Sequence, residues 1–436
     1  MSFPRYPAYK DSGVEWLGKV PEHWSVRRLG YYFSERRDKV SDLDFPALSV
    51  TKNGIVPQLE TAAKSDDGDN RRKVMNGDFV INSRSDRKGS SGIADRDGSV
   101  SLICTVLKPH GSINGTFVHH LFRSVAFQEE YYRYGKGIVA DLWSTNYGEM
   151  KNILLACPPE SEQRLIATFL DHEIAKIDAL IAEQQRLIEL LTEKRKAVIS
   201  HAVTKGLNPG APMRPSGIAW VGDIPEHWGT SYLKWLTDPD RPIMYGIVLP
   251  GPDMGSGVPL VKGGNVKPSR LNLASVAFTT SEIEAPYARA RLKAGDLVYS
   301  IRGTIGDCEP VPAELHSANI TQDVARIAVA PEFDSGWVRW ALLSSAVRQD
   351  LECGSLGAAV RGINIYDLKR AAIPIPPREE QVAIREHLDE AVAEIDGLND
   401  QTRSAILLLS ERRSALISAA VTGQIDVRGF TSQVAA

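Results

Sequence analysis

The sequence is short of almost everything that would mark an enzyme or a membrane protein. Its four cysteines, Cys104, Cys157, Cys308 and Cys353, lie far apart and show none of the close paired spacings of a disulfide framework or a zinc site. No apolar run approaches the roughly 18–20 residues needed to cross a bilayer, and the Pro- and Tyr-rich start from Met1 to Lys10 has no signal-peptide core. A soluble, cytoplasmic chain with no membrane contact is therefore expected. Charge of one sign is missing as well, since 51 Lys and Arg face 54 Asp and Glu for a formal net charge of -3. That excludes a histone-like polycation and an acidic disordered tail, and it leaves any nucleic-acid contact to local basic patches. Catalytic signatures are equally scarce: there is no G-x-x-x-x-G-K-S/T loop, no G-x-S-x-G elbow and no H-E-x-x-H pair. The two Pro-Pro pairs continue with Glu160 and Arg378, not with the aromatic residue of an adenine-methyltransferase signature. His119 and His120 are neighbours, on different sides of a helix, which suits no shared metal. No catalytic residue and no metal site are expected.

What the chain has is repetition. The 436 residues suggest two or three domains at roughly 150 residues each, and internal similarity decides the organisation. SGVEWLGKVPEHW (Ser12 to Trp24) returns as SGIAWVGDIPEHW (Ser216 to Trp228), identical at 8 of 13 positions and offset by 204. A 47-residue stretch beginning PPESEQ at Pro158 returns without a gap as PPREEQ at Pro376, identical at 22 positions and offset by 218. Between these anchors NGDFVINSRS (Asn76 to Ser85) answers AGDLVYSIRG (Ala294 to Gly303). The second middle is thus about 14 residues longer than the first.

Each middle reads as mixed α/β. Strands are expected at Asp78 to Ser83, Val100 to Leu107, Asp296 to Ile301 and Asp323 to Val329, and single helices at Phe117 to Tyr132 and Trp337 to Leu351. The stretches after Pro-Pro differ. From Glu160 to Val203 there is no Gly or Pro, and a seam near period 3.5 runs through Ile174, Ile177, Ile181, Gln184, Ile188, Leu191, Arg195 and Val198. The second copy places Val392, Ile395, Asn399, Thr402, Ile406, Leu409, Arg413 and Leu416 at the equivalent positions. Gln184, Arg195, Thr402 and Arg413 are expected to set register, as buried polar groups do in coiled coils. Both helical stretches are net acidic, so weak DNA binding is expected of the chain alone.

The expected fold is α+β: two homologous mixed domains separated by two long helices in an antiparallel coiled coil, with pseudo-two-fold internal symmetry. The corresponding segments are 1–157 (lead and first domain), 158–206 (first helix), 207–375 (second lead and domain), 376–426 (second helix) and a tail, 427–436. Chain end followed by chain start imitates the linker between halves, because AVTG (Ala420 to Gly423) matches AVTKG (Ala202 to Gly206). Termini close to one another follow from that.

The duplicated W-x-G-x-I/V-P-E-H-W lead and the duplicated PP-x-x-EQ-x-x-I helix ending in LIS-x-AVT, in this order over nearly the whole chain, resemble the specificity subunits of type I restriction-modification systems. The resemblance implies two target-recognition domains, each reading one half of a split DNA sequence, with the helices as a ruler that docks two methyltransferase subunits. A restriction/translocase subunit would join that core. S-adenosylmethionine, ATP and Mg2+ would be bound by partners, none by this chain. A stand-alone nuclease with a cryptic acidic site and a non-DNA coiled-coil scaffold are the rival readings.

Candidate DNA-contacting residues follow from the chemistry of readout, in which Arg suits guanine, Asn suits adenine, and Lys, Ser, Thr and backbone amides suit phosphates. Ser83, Arg84, Ser85, Arg87 and Lys88 follow the GDFVIN strand, and Arg302 and Thr304 stand at the corresponding place in the second half. Lys52 with Asn53, and Lys262 with Asn265, lie in glycine-bearing loops. Lys136 and Asn146, with Arg361 and Asn364 in the second copy, precede the Pro-Pro pairs. The paired asparagines also suit helix caps.

Overall fold

The computed structural model describes residues 3–60, 68–84, 87–110, 113–137, 143–219, 221–353 and 362–430. Two compact units emerge, Met1–Gln185 with Ser404–Ala436, and Arg186–Arg403. Each holds one mixed domain together with parts of both long helices.

In the first unit the lead is a hairpin of Tyr9–Asp11 and Lys19–Pro21, after which Ser25–Arg28 pairs with Leu154–Cys157, just before the first long helix. An antiparallel four-stranded sheet runs in the order Ser91–Ile93, Phe79–Asn82, Cys104–Pro109, Phe33–Glu35. Phe33, Phe79, Phe117, Phe122, Phe127 and Tyr131 pack with Trp24 and with Ile166, Phe169 and Leu170 of the long helix. A smaller core of Leu48, Val74, Val80, Val100, Cys104 and Val106 joins this sheet to the Leu48–Thr51/Gly54–Pro57 hairpin and the strand Arg71–Val74. Burial pushes the thiols of Cys104 and Cys157 up to about 12. Neither should be alkylated at neutral pH in the native chain, whereas both should react in denaturant, a contrast readable by mass spectrometry.

The second unit repeats the plan. Met213–Pro215 pairs with Asp223–Pro225, and Gly229–Tyr232 with Ala372–Ile375. Its four-stranded sheet runs Cys308–Pro310, Leu297–Ser300, Val324–Ile327, Met244–Tyr245, the same order as in the first unit. The middles diverge beyond that sheet. Here Val258–Val261 pairs antiparallel with Ala277–Thr279 and parallel with Asn319–Ile320, over a separate core of Val261, Val266, Leu292, Leu315 and Ile320.

Two sequence expectations need correction. The run Val100 to Leu107 is not one strand: Gly98–Val100 and Cys104–Pro109 belong to different sheets, with a turn over Ser101–Ile103 closed by Cys104 N donating to Ser101 O at 2.9 Å. Nor are the helices single. Gly115–Arg123 and Val125–Arg133 break at Ser124, whose backbone is extended (ψ 146°) and whose hydroxyl donates to Leu121 O while accepting from Phe127 N. Ser335–Leu343 and Ser345–Cys353 break at Ser344 with the same two bonds. A serine that caps one helix while closing the previous one bends the chain without disturbing the apolar spacing, so periodicity alone does not reveal it.

The long helices span Glu160–Lys205 and Arg378–Val421, 46 and 44 residues. Within each unit they pack antiparallel. In the first, Ile174 and Ile177 share a core with Leu416, Ile417 and Ala420, and Arg413 Nε lies 2.8 Å from Asp178. In the second, Ile199 and Ala202 pack with Ile384, Leu388 and Val392, and Arg195 Nε lies 3.0 Å from Asp396. Asp178 with Asp396, and Arg195 with Arg413, are repeat mates at offset 218. Each arginine thus binds the repeat mate of the other's partner, so the same ion pair recurs in both units.

Of the expected seam, Ile174, Ile177, Leu191, Val392, Ile395, Thr402 and Leu416 are buried. Ile181, Gln184, Ile188, Val198, Asn399, Ile406 and Leu409 are half-buried. Arg195 and Arg413 are not buried polar insertions. Their side chains are 33% and 36% exposed and reach round the rim to the opposite carboxylate, so whatever register they set comes from rim ion pairs. Thr402 returns its hydroxyl to Leu398 O of its own helix.

The repeated motifs are clamps. Glu162 accepts from Tyr6 OH (2.7 Å) and Trp24 Nε1 (2.9 Å) and lies 2.7 Å from His23 Nε2. Glu380 does the same for Trp228 Nε1 (2.9 Å) and His227 Nε2 (2.6 Å). The following glutamines also repeat their bonds, Gln163 to Pro158 O and Asn114 N, Gln381 to Pro376 O and Asp334 N. PEHW and PP-x-x-EQ are therefore two sides of one joint.

The two ends of the described chain meet in the first unit, as the pseudo-circular order predicts: Asp426 N donates to Pro4 O at 2.8 Å, and Phe3 and Phe430 both pack on Phe169. Gly423 (φ +75°) and Gly206 (φ +74°) end the two helices under the lead tryptophans. A Cβ on Gly423 would lie 2.4 Å from Pro21, whereas one on Gly206 would meet Trp228 at 3.1 Å. Gly423→Ala should therefore cost about 2–4 kcal/mol and Gly206→Ala about 1–2 kcal/mol, measured by denaturant unfolding.

Candidate nucleic-acid interface

In each unit the candidate loops converge at one end of the four-stranded sheet. In the first, Phe79–Asn82 leads into Ser83 and Arg84; Ser83 N and Oγ both donate to Ile103 O, and Thr145 N donates to Ser83 O at 3.0 Å. Arg84 and Lys136 both bridge to Ser144. In the second, Leu297–Ser300 leads into Ile301 and Arg302; Ile301 N donates to Asp323 O at 2.9 Å, and Ile363 N to Ile301 O at 2.9 Å. Arg302 bridges to Gly362, and Thr304 Oγ1 reaches Gly263 O at 3.4 Å. Three chain segments far apart in sequence thus share one edge, twice.

Gly263 is where two of these segments touch, since a Cβ there would lie 3.1 Å from Arg302 O and 3.5 Å from Asp323 Cβ. In the first unit the hairpin that carries Lys52 and Asn53 lies instead against the strand Ser91–Ile93, where a Cβ on Gly92 would lie 2.9 Å from Gly54 Cα. Arg123 tethers that turn by donating to Lys52 O and to His119 Nε2. Burial, reinforced by the charge of Arg123, holds His119 down at about 4, so it stays a neutral acceptor. His120 is tied to Asp171 at 2.8 Å.

The individual side chains fare differently. Arg302 is exposed and makes no side-chain hydrogen bond or ion pair among the described residues. Lys52, Asn53, Lys262 and Thr304 are exposed on the same loops. Arg84 and Arg87 lie on the first unit's loop and have partners of their own. Lys88 is drawn back to Glu129 and over the Tyr132 ring, and Lys136 pairs with Glu149 at 2.8 Å. Asn146 and Asn364 cap the short helices Tyr147–Met150 and Ile365–Lys369. Asn265 spends both ends of its amide, accepting from Lys262 N and donating to Ser275 O, which holds its own loop and leaves no free pair for an adenine. Ser85 and Arg361 lie outside the described residues.

One segment at this edge had no signal in the sequence. The turns Ser101–Ile103 and Thr321–Asp323 sit against Ser83 and Ile301 through matching bonds, and each is closed alike, Cys104 N to Ser101 O and Val324 N to Thr321 O. They match at offset 220, not 218, because Cys104 pairs with Asn82 where Val324 pairs with Ser300.

The chain is 28% identical over 289 residues to the type I restriction enzyme EcoBI specificity subunit of Escherichia coli, covering 64% of this chain and 60% of that relative. It is 24% identical to a putative type I restriction enzyme MjaX specificity subunit of Methanocaldococcus jannaschii over 94% of this chain and 96% of the relative. Among solved structures, a chain described in work on complex assembly and conformational transition of the type I R-M system superposes with a TM-score of 0.65 at 19% identity, covering 92% of this chain and 98% of the other. No protein-family model matches.

Proposed function

We infer that the chain belongs to the specificity subunits of type I restriction-modification systems, and that it chooses the DNA sequence on which partner subunits act. The observation that carries this reading is the duplicated edge: one scaffold, built twice with the same clamps and caps, presents two sets of loops whose residues differ. Each edge reads one half of a split, asymmetric site. Arg302 is the leading reader of the second edge, and Arg84 and Arg87 hold the corresponding places on the first. Lys52, Lys262 and Thr304 suit phosphates. Lys88 and Lys136 rank lower because carboxylates already neutralise them, and Asn146, Asn265 and Asn364 act as supports.

The paired helices set the spacing between half-sites and, with their flanks, dock two methyltransferase subunits, to which a restriction/translocase subunit is added. S-adenosylmethionine, ATP and Mg2+ belong to those partners. The chain carries no helix long and apolar enough to span a membrane among the described residues, and cytoplasmic action on DNA is the proposed setting.

Mapping methylated adenines genome-wide, with the gene present and deleted, tests the reading: a two-part sequence with a fixed gap should lose its methylation on deletion. Adding seven residues to each helix keeps the heptad phase and lengthens the helices by roughly 10 Å. The preferred gap should then grow by a few base pairs with both half-sites unchanged. An unaltered gap would remove the helices from that role.

A further inference from the structure

The two turns at the interface edge have equivalent places and opposite chemistry. Leu102 and Ile103 of the first are exposed to 38% and 43%, two aliphatic side chains that keep part of their surface open to solvent beside the Ser83–Arg84 loop. Nothing in a folding argument favours leaving both outside, because burying each would contribute on the order of 1.5–3 kcal/mol. At the matching positions of the second unit stand Gln322 and Asp323, both half-buried, with side chains that make no hydrogen bond or ion pair among the described residues. The two turns share the bonds that tie Ile103 O to Ser83 N and Asp323 O to Ile301 N and the closure by Cys104 N and Val324 N, while the second is tied further by Gln322 N donating to Ile247 O.

Resting on the specificity-subunit reading, we propose that these turns are further specificity determinants, which read bases of opposite chemical character in the two half-sites. In the major groove thymine presents a C5-methyl group, adenine an acceptor and a donor side by side, and cytosine an amino donor. Leu102 and Ile103 carry no polar group and match only the methyl: the first unit selects thymine there. Gln322 has the amide that pairs with adenine N7 and N6. Asp323 is a carboxylate at an edge that faces phosphates, a position that is repulsive unless the carboxylate accepts from an amino group such as cytosine N4. The second unit selects an adenine or cytosine at the equivalent step. A shared scaffold with exchanged turn residues accounts for how one fold, used twice, reads two different sequences.

The test uses the full chain assembled with its methyltransferase subunits and a duplex carrying the mapped site. Replacing thymidine by deoxyuridine removes only the methyl group. In the half-site read by the first unit this should weaken wild-type binding about 3- to 10-fold, and the L102S/I103S double variant should lose that sensitivity. The same replacement in the other half should leave the wild type within twofold. Gln322→Leu should admit other bases at one position of the second half-site alone, and the conservative Leu102→Met should keep the thymine preference, with thermal unfolding confirming that all variants fold. A first half-site without thymine, or equal uridine sensitivity in wild type and L102S/I103S, overturns the proposal while leaving the specificity-subunit reading intact. A wild-type complex that marks no split site overturns both.

Discussion

Glu162→Ala is expected to destabilise the first unit by about 3–5 kcal/mol, because it removes the one acceptor shared by two buried donors. The carboxylate is only 7% exposed and holds Tyr6 OH, Trp24 Nε1 and His23 Nε2. Burial, followed by the hydrogen bond to Glu162, raises the Tyr6 pKa far above its ordinary value, so Tyr6 keeps its proton and remains a donor. Truncation leaves the indole and the phenol unsatisfied in a dry joint, each costing about 1–3 kcal/mol. The repeat supplies its own control. Glu380 is 41% exposed and has no tyrosine partner among the described residues, so Glu380→Ala should cost about 1 kcal/mol. Hydrogen exchange of the two lead hairpins in the full chain, which reports each unit separately, measures both. Equal losses at the two sites would mean that burial does not rank these clamps.

Arg302→Ala is expected to weaken specific DNA binding by the assembled complex about 10- to 100-fold. The side chain is exposed at the sheet edge, while its backbone is held between Asp323 O and Gly362, so it can turn to DNA without breaking an existing pair. A salt series tells which contact it makes. Loss of a base contact relaxes the sequence at one position and leaves the salt slope unchanged, whereas loss of a phosphate contact weakens all sequences alike and lowers the slope by about one. Lys88→Ala and Lys136→Ala should change affinity less than threefold, since each lysine is already paired with a glutamate. An Arg302→Ala complex that binds like wild type at every salt concentration would move the reading edge elsewhere.

The places where sequence reasoning stopped short share a cause. Ser124 and Ser344 interrupt helices whose apolar spacing runs on unbroken, so the period is right and the element count is wrong. Val100 to Leu107 is continuously strand-like, yet Ser101–Ile103 is a turn, because the two flanking pieces join different sheets. Asn265 has the right chemistry for adenine but is consumed by its own loop. Arg195 and Arg413 interrupt the leucine pattern faithfully in both copies and still lie at the rim, since the antiparallel neighbour offers Asp396 and Asp178 there.

What the sequence alone determined was everything carried by identity and period. The duplication, the offsets of 204 and 218, the two gap-free helices, the closeness of the chain ends and the family resemblance were legible because each is a relation between nearby residues or between copies of one segment. Only the tertiary structure decided which loops meet. Phe79–Asn82 and Leu297–Ser300 end beside turns some 20 residues onward and beside Thr145 and Ile363, some 60 residues onward, through single backbone bonds that leave no pattern along the chain. The offset of 220 between the two edge turns illustrates the reason: strand register, not sequence alignment, sets which residue stands at the edge, and register is fixed by packing across the sheet.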